Sequence, residues 1–96
     1  MDSVERGKSD VATLVELNVK ALVDHPGEVT VTEVEGQAST IIEVRTHHRD
    51  YGKVVGRHGD TIDAIRHLLR NIGAKHHRRY IIEIEDPKVD RFTIEE

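Results

Sequence analysis

Two glycines three residues apart, Gly56 and Gly59, govern how the middle of this chain folds. They lie in the stretch GKVVGRHGDT, residues 52–61, and enclose one arginine and one histidine. Glycine adopts positive φ angles without a steric penalty, so the stretch predicts a tight loop. After Gly59, apolar residues recur at the spacing of a helix face, which predicts an amphipathic helix to about residue 75. The apolar positions of that helix are Ile62, Ile65, Leu68, Leu69 and Ile72.

Alternation and helical spacing predict further elements around this loop. In chain order they are a helix from residue 10 to about 23, strands within 28–35 and 39–46, a turn at 35–37 between them, a short helical segment over about 49–55, and a last strand within 78–86. We expect Ser9 or Asp10 to cap the first helix. Asp60 is the expected cap of the helix after the loop, with Asp63 completing a near capping box.

This order of elements predicts an α+β domain. Two strands so close in sequence should form an antiparallel hairpin. The path from the second strand through two helices to the last strand suits a right-handed parallel crossover. We therefore expect three helices packed on one face of a three-stranded mixed sheet. The expected boundaries are a flexible N-terminus over 1–9, the domain over 10–86 and a C-terminal tail over 87–96.

Length and composition exclude several classes of protein. A chain of 96 residues is expected to form one domain. It has no cysteine, so disulfides and thiolate metal sites are excluded. No signal peptide is recognisable, and no stretch approaches the roughly 18 apolar residues of a membrane span. A cytoplasmic protein that does not enter membranes is the resulting expectation.

The charge of the chain is concentrated in its middle. The formal net charge is −4, which alone argues against a general nucleic-acid binder. Residues 45–79, however, hold nine Lys and Arg residues against three acids, and six of the seven histidines. This segment is a candidate electropositive face, and it contains the glycine-flanked loop.

A loop of this kind can bind an anion. Backbone N–H groups at the start of a helix, together with the helix dipole, favour a negative charge there. Arg57 and His58 should point into solvent because a tight loop has no interior, and Lys53 lies one turn earlier. The plainer interpretation is that Gly56 ends one helix and Gly59 opens the next. The surrounding positive segment favours the anion-binding interpretation.

The sequence VVGRHG, preceded by Gly52 and Lys53 and followed by the amphipathic helix, resembles the GXXG motif of KH domains. The resemblance extends over about residues 10–86 and includes ALVDHP and IIEIED. The order α-β-β-α-α-β is that of the type II, bacterial arrangement. The chain is most similar to the small single-domain bacterial KH proteins of the KhpA kind.

This resemblance implies that the chain clamps about four nucleotides of single-stranded RNA, with the GXXG loop on the backbone. The bases would lie in an aliphatic groove between the two central helices and the neighbouring strand. The expected floor is Val54, Val55 and Ile62, with Ile42, Val44 and Arg45 nearby. The full set of expected RNA-binding residues is Lys53, Val54, Val55, Gly56, Arg57, His58, Gly59, Ile62, Arg45, Arg66 and Arg70.

Two features of this set stay open. Arg66 and Arg70 lie four residues apart, so they share a helix face that either follows a phosphate backbone or is simply solvated. Asp60 stands where members of the family often carry a basic or neutral residue. Its carboxylate would repel a phosphate, which lowers the expected affinity for RNA.

The remaining constellations indicate no chemistry. His47-His48 and His76-His77 are adjacent pairs whose side chains should point to different faces, so we expect solvated histidines and no metal site. Arg78-Arg79 is expected to be a solvated strand entrance. The sequence holds no Ser-His-Asp arrangement and no phosphate-binding GxxxxGK[ST] or GxGxxG motif, so no enzyme, cofactor or small-molecule substrate is expected. Only Tyr51, Tyr80 and Phe92 are aromatic, which disfavours RNA-binding folds that stack bases on aromatic platforms.

The sequence thus predicts a single-stranded RNA-binding protein without catalytic activity. The resemblance implies an RNA chaperone or small-RNA binder in post-transcriptional regulation, a link to cell shape, and a larger KH protein of the Jag type as partner. The alternative is a protein–protein adaptor or ribosome-assembly factor whose basic face meets an acidic partner.

Overall fold

The computed structural model describes residues 9–86, so residues 1–8 of the expected N-terminal segment 1–9 and the whole tail 87–96 lie outside the described residues. Three helices and three strands follow the order α-β-β-α-α-β along the chain. Their bounds are α1 Asp10–Leu22, β1 Thr30–Glu35, β2 Ser39–Arg45, α2 Tyr51–Val55, α3 Asp60–His76 and β3 Arg79–Ile84. Short 3-10 turns at Pro26–Glu28, His48–Asp50 and Arg57–Gly59 precede β1, α2 and α3.

The three strands form one mixed sheet in the order β1-β2-β3. β1 pairs antiparallel with β2, with Val31 opposite Val44. β2 pairs parallel with β3, with Ile42 beside Ile82. The predicted α+β architecture with its hairpin and parallel connection is therefore confirmed.

Alternate residues of the strands build the core together with all three helices. Val31, Ile42, Val44 and Ile82 face the helices, since successive strand residues point to opposite faces. The helices contribute Ala12, Val15, Val19, Val54, Ile62, Ile65 and Leu69. Each such aliphatic side chain stabilises the fold by about 1.5–3 kcal/mol relative to exposure. One buried layer between helices and sheet thus holds the domain together.

The first helix begins at its predicted cap. The hydroxyl of Ser9 accepts a hydrogen bond from the backbone N–H of Ala12 at 3.1 Å. The same hydroxyl and the Ser9 backbone N–H donate to the carboxylate of Glu33 on β1. A cap of this kind is worth about 1 kcal/mol. Ser9 therefore fastens the start of α1 to the sheet.

A buried carboxylate fixes the start of α2. Asp50 has no exposed surface, and its Oδ2 accepts from both the backbone N–H and the Nδ1 of His25, each at 2.9 Å. Burial acts to raise the pKa of Asp50, but the hydrogen bonds from His25 and from the Asp24 backbone outweigh it and lower that pKa. These bonds tie the segment after α1 to the segment that leads into the glycine loop.

The connection from α3 to β3 corrects one expectation. Gly73 lies within α3 and allows a close approach, because a Cβ there would collide with the carbonyl oxygen of Arg78. Arg78 is not a solvated entrance residue. Its guanidinium donates to Thr40 Oγ1 at 2.7 Å, to the carbonyls of Gln37 at 3.0 Å and Ser39 at 3.3 Å, and to that of Gly36. Arg78 therefore holds the β1–β2 turn against the end of α3.

Among the helices of residues 9–86, none is long and apolar enough to cross a membrane.

Candidate nucleic-acid interface

The loop between α2 and α3 is built from left-handed backbone. Gly56 has φ +83°, His58 φ +57° and Gly59 φ +78°. Only glycine adopts such angles freely, so His58 carries a strain of about 1–2 kcal/mol. A strained, exposed residue that the surrounding structure maintains is typical of functional loops. The loop therefore turns sharply enough to present Arg57 and His58 at its outer surface.

The two glycines are required for different reasons. A Cβ on Gly56 would overlap the Thr61 side chain and lie 2.7 Å from the Thr61 backbone nitrogen. A Cβ on Gly59 has room, at 4.0 Å from Asp63 and Ile62, so only its positive φ favours glycine. Gly56 thus permits the close return of the chain onto α3, and Gly59 permits the turn into the helix.

The predicted cap at Asp60 is wrong. Gly59 is the N-cap of α3, and Asp60 is the first residue with helical angles, with no side-chain capping bond in this part of the structure. Asp63 does not complete a capping box, since its carboxylate contacts Arg66 at 3.3 Å. The sharp turn at Gly59 moves the start of the helix one residue earlier. Asp60 instead places a negative charge in the first helical turn, where the helix dipole favours it.

The side chains of Arg57 and His58 project from the loop without a partner among the described residues. Arg57 and His58 are exposed, and neither side chain makes a hydrogen bond or ion pair with any residue of 9–86. Within the same range, their backbone N–H groups are also without an acceptor. Lys53 makes an exposed ion pair with the Asp24 carboxylate at 3.5 Å. Exposed pairs of this kind are worth about 0–1 kcal/mol, so a phosphate can compete for Lys53.

Most of the expected aliphatic floor beside the loop is buried in the core. Val54, Ile42 and Val44 have no exposed surface, and Ile62 is only 6% exposed. Val55 is half-buried and packs against the core. A five-residue helix turns one valine of the pair fully inward, and the sequence does not indicate which. The structure therefore places these residues under the interface, with Val55 and the edge of Ile62 at its surface.

Arg45 is separated from the other expected residues. Val44 faces the helices, so Arg45 points to the opposite face of the sheet. Its guanidinium donates to the carboxylate of Glu85. The structure does not bring Arg45 to the loop.

A groove of about 530 Å³ lies instead between α3 and the edge strand β3. Leu69 and Ile82, which are 1% and 2% exposed, form its apolar floor together with Gly73. The other residues that line it come from α3, β3 and the β1–β2 turn, namely Ala38, Arg66, Arg70, Ala74, His77, Arg78, Arg79, Tyr80 and Ile81. The groove follows the helix whose first turn begins at the glycine loop.

Cations surround this apolar floor. Arg66 and Arg70, left open by the sequence, both lie on the rim of the groove, and Arg79 faces them from β3. Arg66 keeps an exposed contact with Asp63, and Arg70 lies 3.5 Å from His67 Nδ1. An apolar floor with a cationic rim suits a planar, anionic chain such as single-stranded nucleic acid, with bases inside and phosphates outside.

The sequence reading missed most of this groove. Leu69 and Gly73 belong to the same helix face as Arg66 and Arg70, at spacings of three, four and seven residues. This helical spacing is the sequence signal that could have indicated the groove. Tyr80 is half-buried, packs against the core and also lines the groove.

The histidine pairs show no metal site. No group of three or more potential ligands within residues 9–86 could hold a metal ion. The reason given from the sequence is wrong for His47 and His48, since their rings stack at 4.4 Å. These residues precede α2 in a turn, where neighbouring side chains need not diverge.

Comparison with known proteins identifies the family of the chain. The sequence model of the KhpA/KhpB KH domain matches residues 12–84. The chain belongs to the KhpA/KhpB family of KH domains.

Several relatives share this KH domain over nearly their whole length. The RNA-binding protein KhpA of Borreliella burgdorferi is 47% identical over 73 residues, which are 76% of this chain and 89% of the relative. RNA-binding protein KhpA of Aquifex aeolicus is 41% identical over 76 residues, 79% of this chain and 96% of the relative. The Treponema pallidum protein of the same name is 42% identical over 73 residues, 76% of this chain and 91% of the relative. No solved structure matches this KH domain significantly.

Proposed function

We propose that this KH domain binds single-stranded RNA, with the 56–59 loop on a backbone phosphate and bases in the groove between α3 and β3. The observation that carries the proposal is the strained loop on which the side chains of Arg57 and His58 have no partner within residues 9–86. Its N–H groups and the adjoining helix start favour an anion at the same place. The name of the KhpA relatives, which are RNA-binding proteins, supports RNA as the source of that anion.

The groove gives the bases a place beside the clamped phosphate. One edge of β3 pairs with β2, and its other edge is unpaired in the part of the chain that the structure describes. Free backbone donors and acceptors along that edge can meet base edges, while Leu69 and Ile82 exclude water below them. Recognition of this kind uses backbone groups and apolar contact, so we expect weak sequence preference and no catalysis.

The cellular role follows from the resemblance alone. We expect an RNA chaperone or small-RNA binder in post-transcriptional regulation, acting in the cytoplasm and connected with cell shape. A larger KH protein of the Jag type remains the expected partner, and the naming of KhpB beside KhpA in the matched family supports this expectation.

The decisive variant is Arg57→Asp with His58→Asp. Charged hydrogen bonds contribute about 1.5–3 kcal/mol, so affinity for a four-nucleotide RNA should fall at least about tenfold. Asp tolerates left-handed backbone, and both residues are exposed, so the free energy of unfolding should change by less than about 0.5 kcal/mol. Fluorescence anisotropy with labelled RNA and urea unfolding measure the two quantities.

Lys75→Asp with His76→Asp is the matched control. It changes the charge by the same amount at the opposite end of α3, where both residues are exposed. RNA affinity should fall much less in the control than in the loop variant. Equal losses would show that only net charge matters and would contradict the clamp. Tighter binding of the wild type to an acidic peptide than to RNA would favour the adaptor alternative.

A further inference from the structure

Three histidine rings form a stacked column before α2. The rings of His25 and His47 lie 3.9 Å apart at an interplanar angle of 11°. Those of His47 and His48 lie 4.4 Å apart at 24°. His47 is therefore the middle ring, and His25 and His48 are the two ends. The three histidine rings thus form a continuous stack of planar groups in a chain with few aromatic residues.

The fold uses two of these rings and leaves the third free. His25 donates from Nδ1 to the buried Asp50, and His47 Nδ1 accepts from the Arg49 backbone N–H at 3.0 Å. Both rings are consequently fixed in orientation. His48 is exposed, and within residues 9–86 its side chain contacts another ring only at His47. His48 is the exposed end of the column, so a planar ligand can reach its ring.

A row of cations connects this column to the glycine loop. Arg49, Lys53 and Arg57 are spaced four residues apart along the segment that contains α2. Arg49 lies in the 3-10 turn before α2, Lys53 lies within α2, and Arg57 directly follows Gly56, which ends α2. All three are exposed, and the guanidinium of Arg49 has no partner within residues 9–86. Phosphates that leave the clamp at Arg57 therefore meet further positive charge in the direction of His48.

The distance along this path sets which nucleotide reaches the column. The 3-10 turn rises about 2.0 Å per residue and α2 about 1.5 Å, so His48 lies on the order of 14 Å from Gly56. A KH domain clamps about four nucleotides at its loop and groove. The His48 ring therefore lies beyond the clamp, within reach of a nucleotide outside those four.

We propose that the His25–His47–His48 column is a second RNA subsite, on which the exposed ring of His48 stacks a nucleobase outside the clamped four. Arg49 and Lys53 would hold the phosphates between the two subsites. This inference rests on the proposed RNA clamp and extends it. It assigns a binding role to His48, while His25 and His47 are positioning residues that keep its ring in place.

The test compares short and long RNA on variants of His48. Base–aromatic stacking is worth enough to change affinity about fivefold or more. An eight-nucleotide RNA should therefore bind the wild type more tightly than a four-nucleotide RNA. His48→Ala should remove this gain and leave four-nucleotide binding unchanged, whereas His48→Tyr should retain it. The control is His76→Ala, because His76 is an exposed histidine in the last turn of α3. This control should change the affinity for neither the four-nucleotide nor the eight-nucleotide RNA.

A fluorescent base separates stacking from charge. 2-Aminopurine, placed in turn at each position of the eight-nucleotide RNA, should be quenched at one position outside the clamp. That quenching should disappear in His48→Ala and return in His48→Tyr. If the four-nucleotide RNA binds but greater length adds nothing, or if His48→Ala retains the quenching, the column is not a subsite while the clamp stands. Failure of the wild type to bind either RNA would overturn both proposals.

Discussion

The two ends of α3 carry similar residues, but the fold forms hydrogen bonds with the arginine at only one of them. Arg57 precedes the first turn of the helix, and Arg78 follows the last. Both lie beside histidines, in the sequences RH and HHRR. Arg57 makes no hydrogen bond or ion pair with the described residues, whereas Arg78 donates to four oxygen acceptors and lies 3.6 Å from the Glu35 carboxylate. One end of the helix is available to a ligand, and the other is occupied by the fold.

The difference arises from what the chain brings near each end. The β1–β2 turn leaves carbonyl groups that no strand pairs, and the planar guanidinium with its five donors satisfies several at once. At the other end, no acceptor among the described residues bonds the side chain of Arg57. A basic residue therefore becomes structural where backbone carbonyls converge, and it remains free where the backbone exposes its donors.

The largest expected effect comes from breaking the occupied end. Arg78→Ala should lower the free energy of unfolding by about 2–3 kcal/mol, because several acceptors of the turn lose a charged donor together. Arg79→Ala is the adjacent control. Arg79 is exposed, and removing it should cost less than about 0.5 kcal/mol while weakening RNA binding at the groove rim. Urea unfolding measures the free energy of unfolding of both variants. Equal values would show that Arg78 has no structural role beyond that of Arg79.

This contrast also shows where sequence reasoning ends. The periodicity of residues 60–76 and the alternation in the strands follow from the burial of apolar faces, so the element order and mixed sheet could be predicted. The loop could be predicted because glycine adopts positive φ angles without a steric penalty. The role of Arg78 could not. It depends on contacts between segments far apart in sequence, which no local pattern records.

A second prediction concerns the buried carboxylate of Asp50, in the segment that leads into the glycine loop. The pKa of Asp50 is lower in the folded protein than its ordinary value, because the hydrogen bonds from His25 and Asp24 outweigh burial. A lowered pKa stabilises the fold above the unfolded value of about 3.9, and this stabilisation is lost as pH falls through the folded value. Thermal melts of the wild type should therefore show decreasing stability below about pH 4.

Two variants identify Asp50 as the source of that acid sensitivity. Asp50→Asn should lower stability at pH 7 and flatten its dependence below pH 4, since the group no longer titrates. His25→Ala removes the side-chain donor and keeps the backbone donors, so it should flatten the dependence only in part. An Asp50→Asn profile parallel to that of the wild type would assign the acid sensitivity to other carboxylates.

The smallest expected effect, and the one that tests the free end most directly, is on salt dependence. A clamp that uses Lys53, Arg57 and one cation of the groove rim neutralises about three phosphates. A plot of log K for RNA binding against log[salt] should then have a slope of about −2 for a single strand, because each phosphate contributes about −0.7. Arg57→Ala should reduce the magnitude of this slope by about 0.7.

Lys75→Ala supplies the reference for that change. Lys75 is exposed in the last turn of α3, and it lies about 200° around the helix from Gly73, on the side away from the groove. It carries the same charge as Arg57 but should leave the slope unaltered, since counterions are released only where a cation meets a phosphate. Anisotropy titrations from low to physiological salt measure all three slopes. If both variants changed the slope equally, RNA would be held by the general field of the protein, and the two ends of α3 would not differ in function.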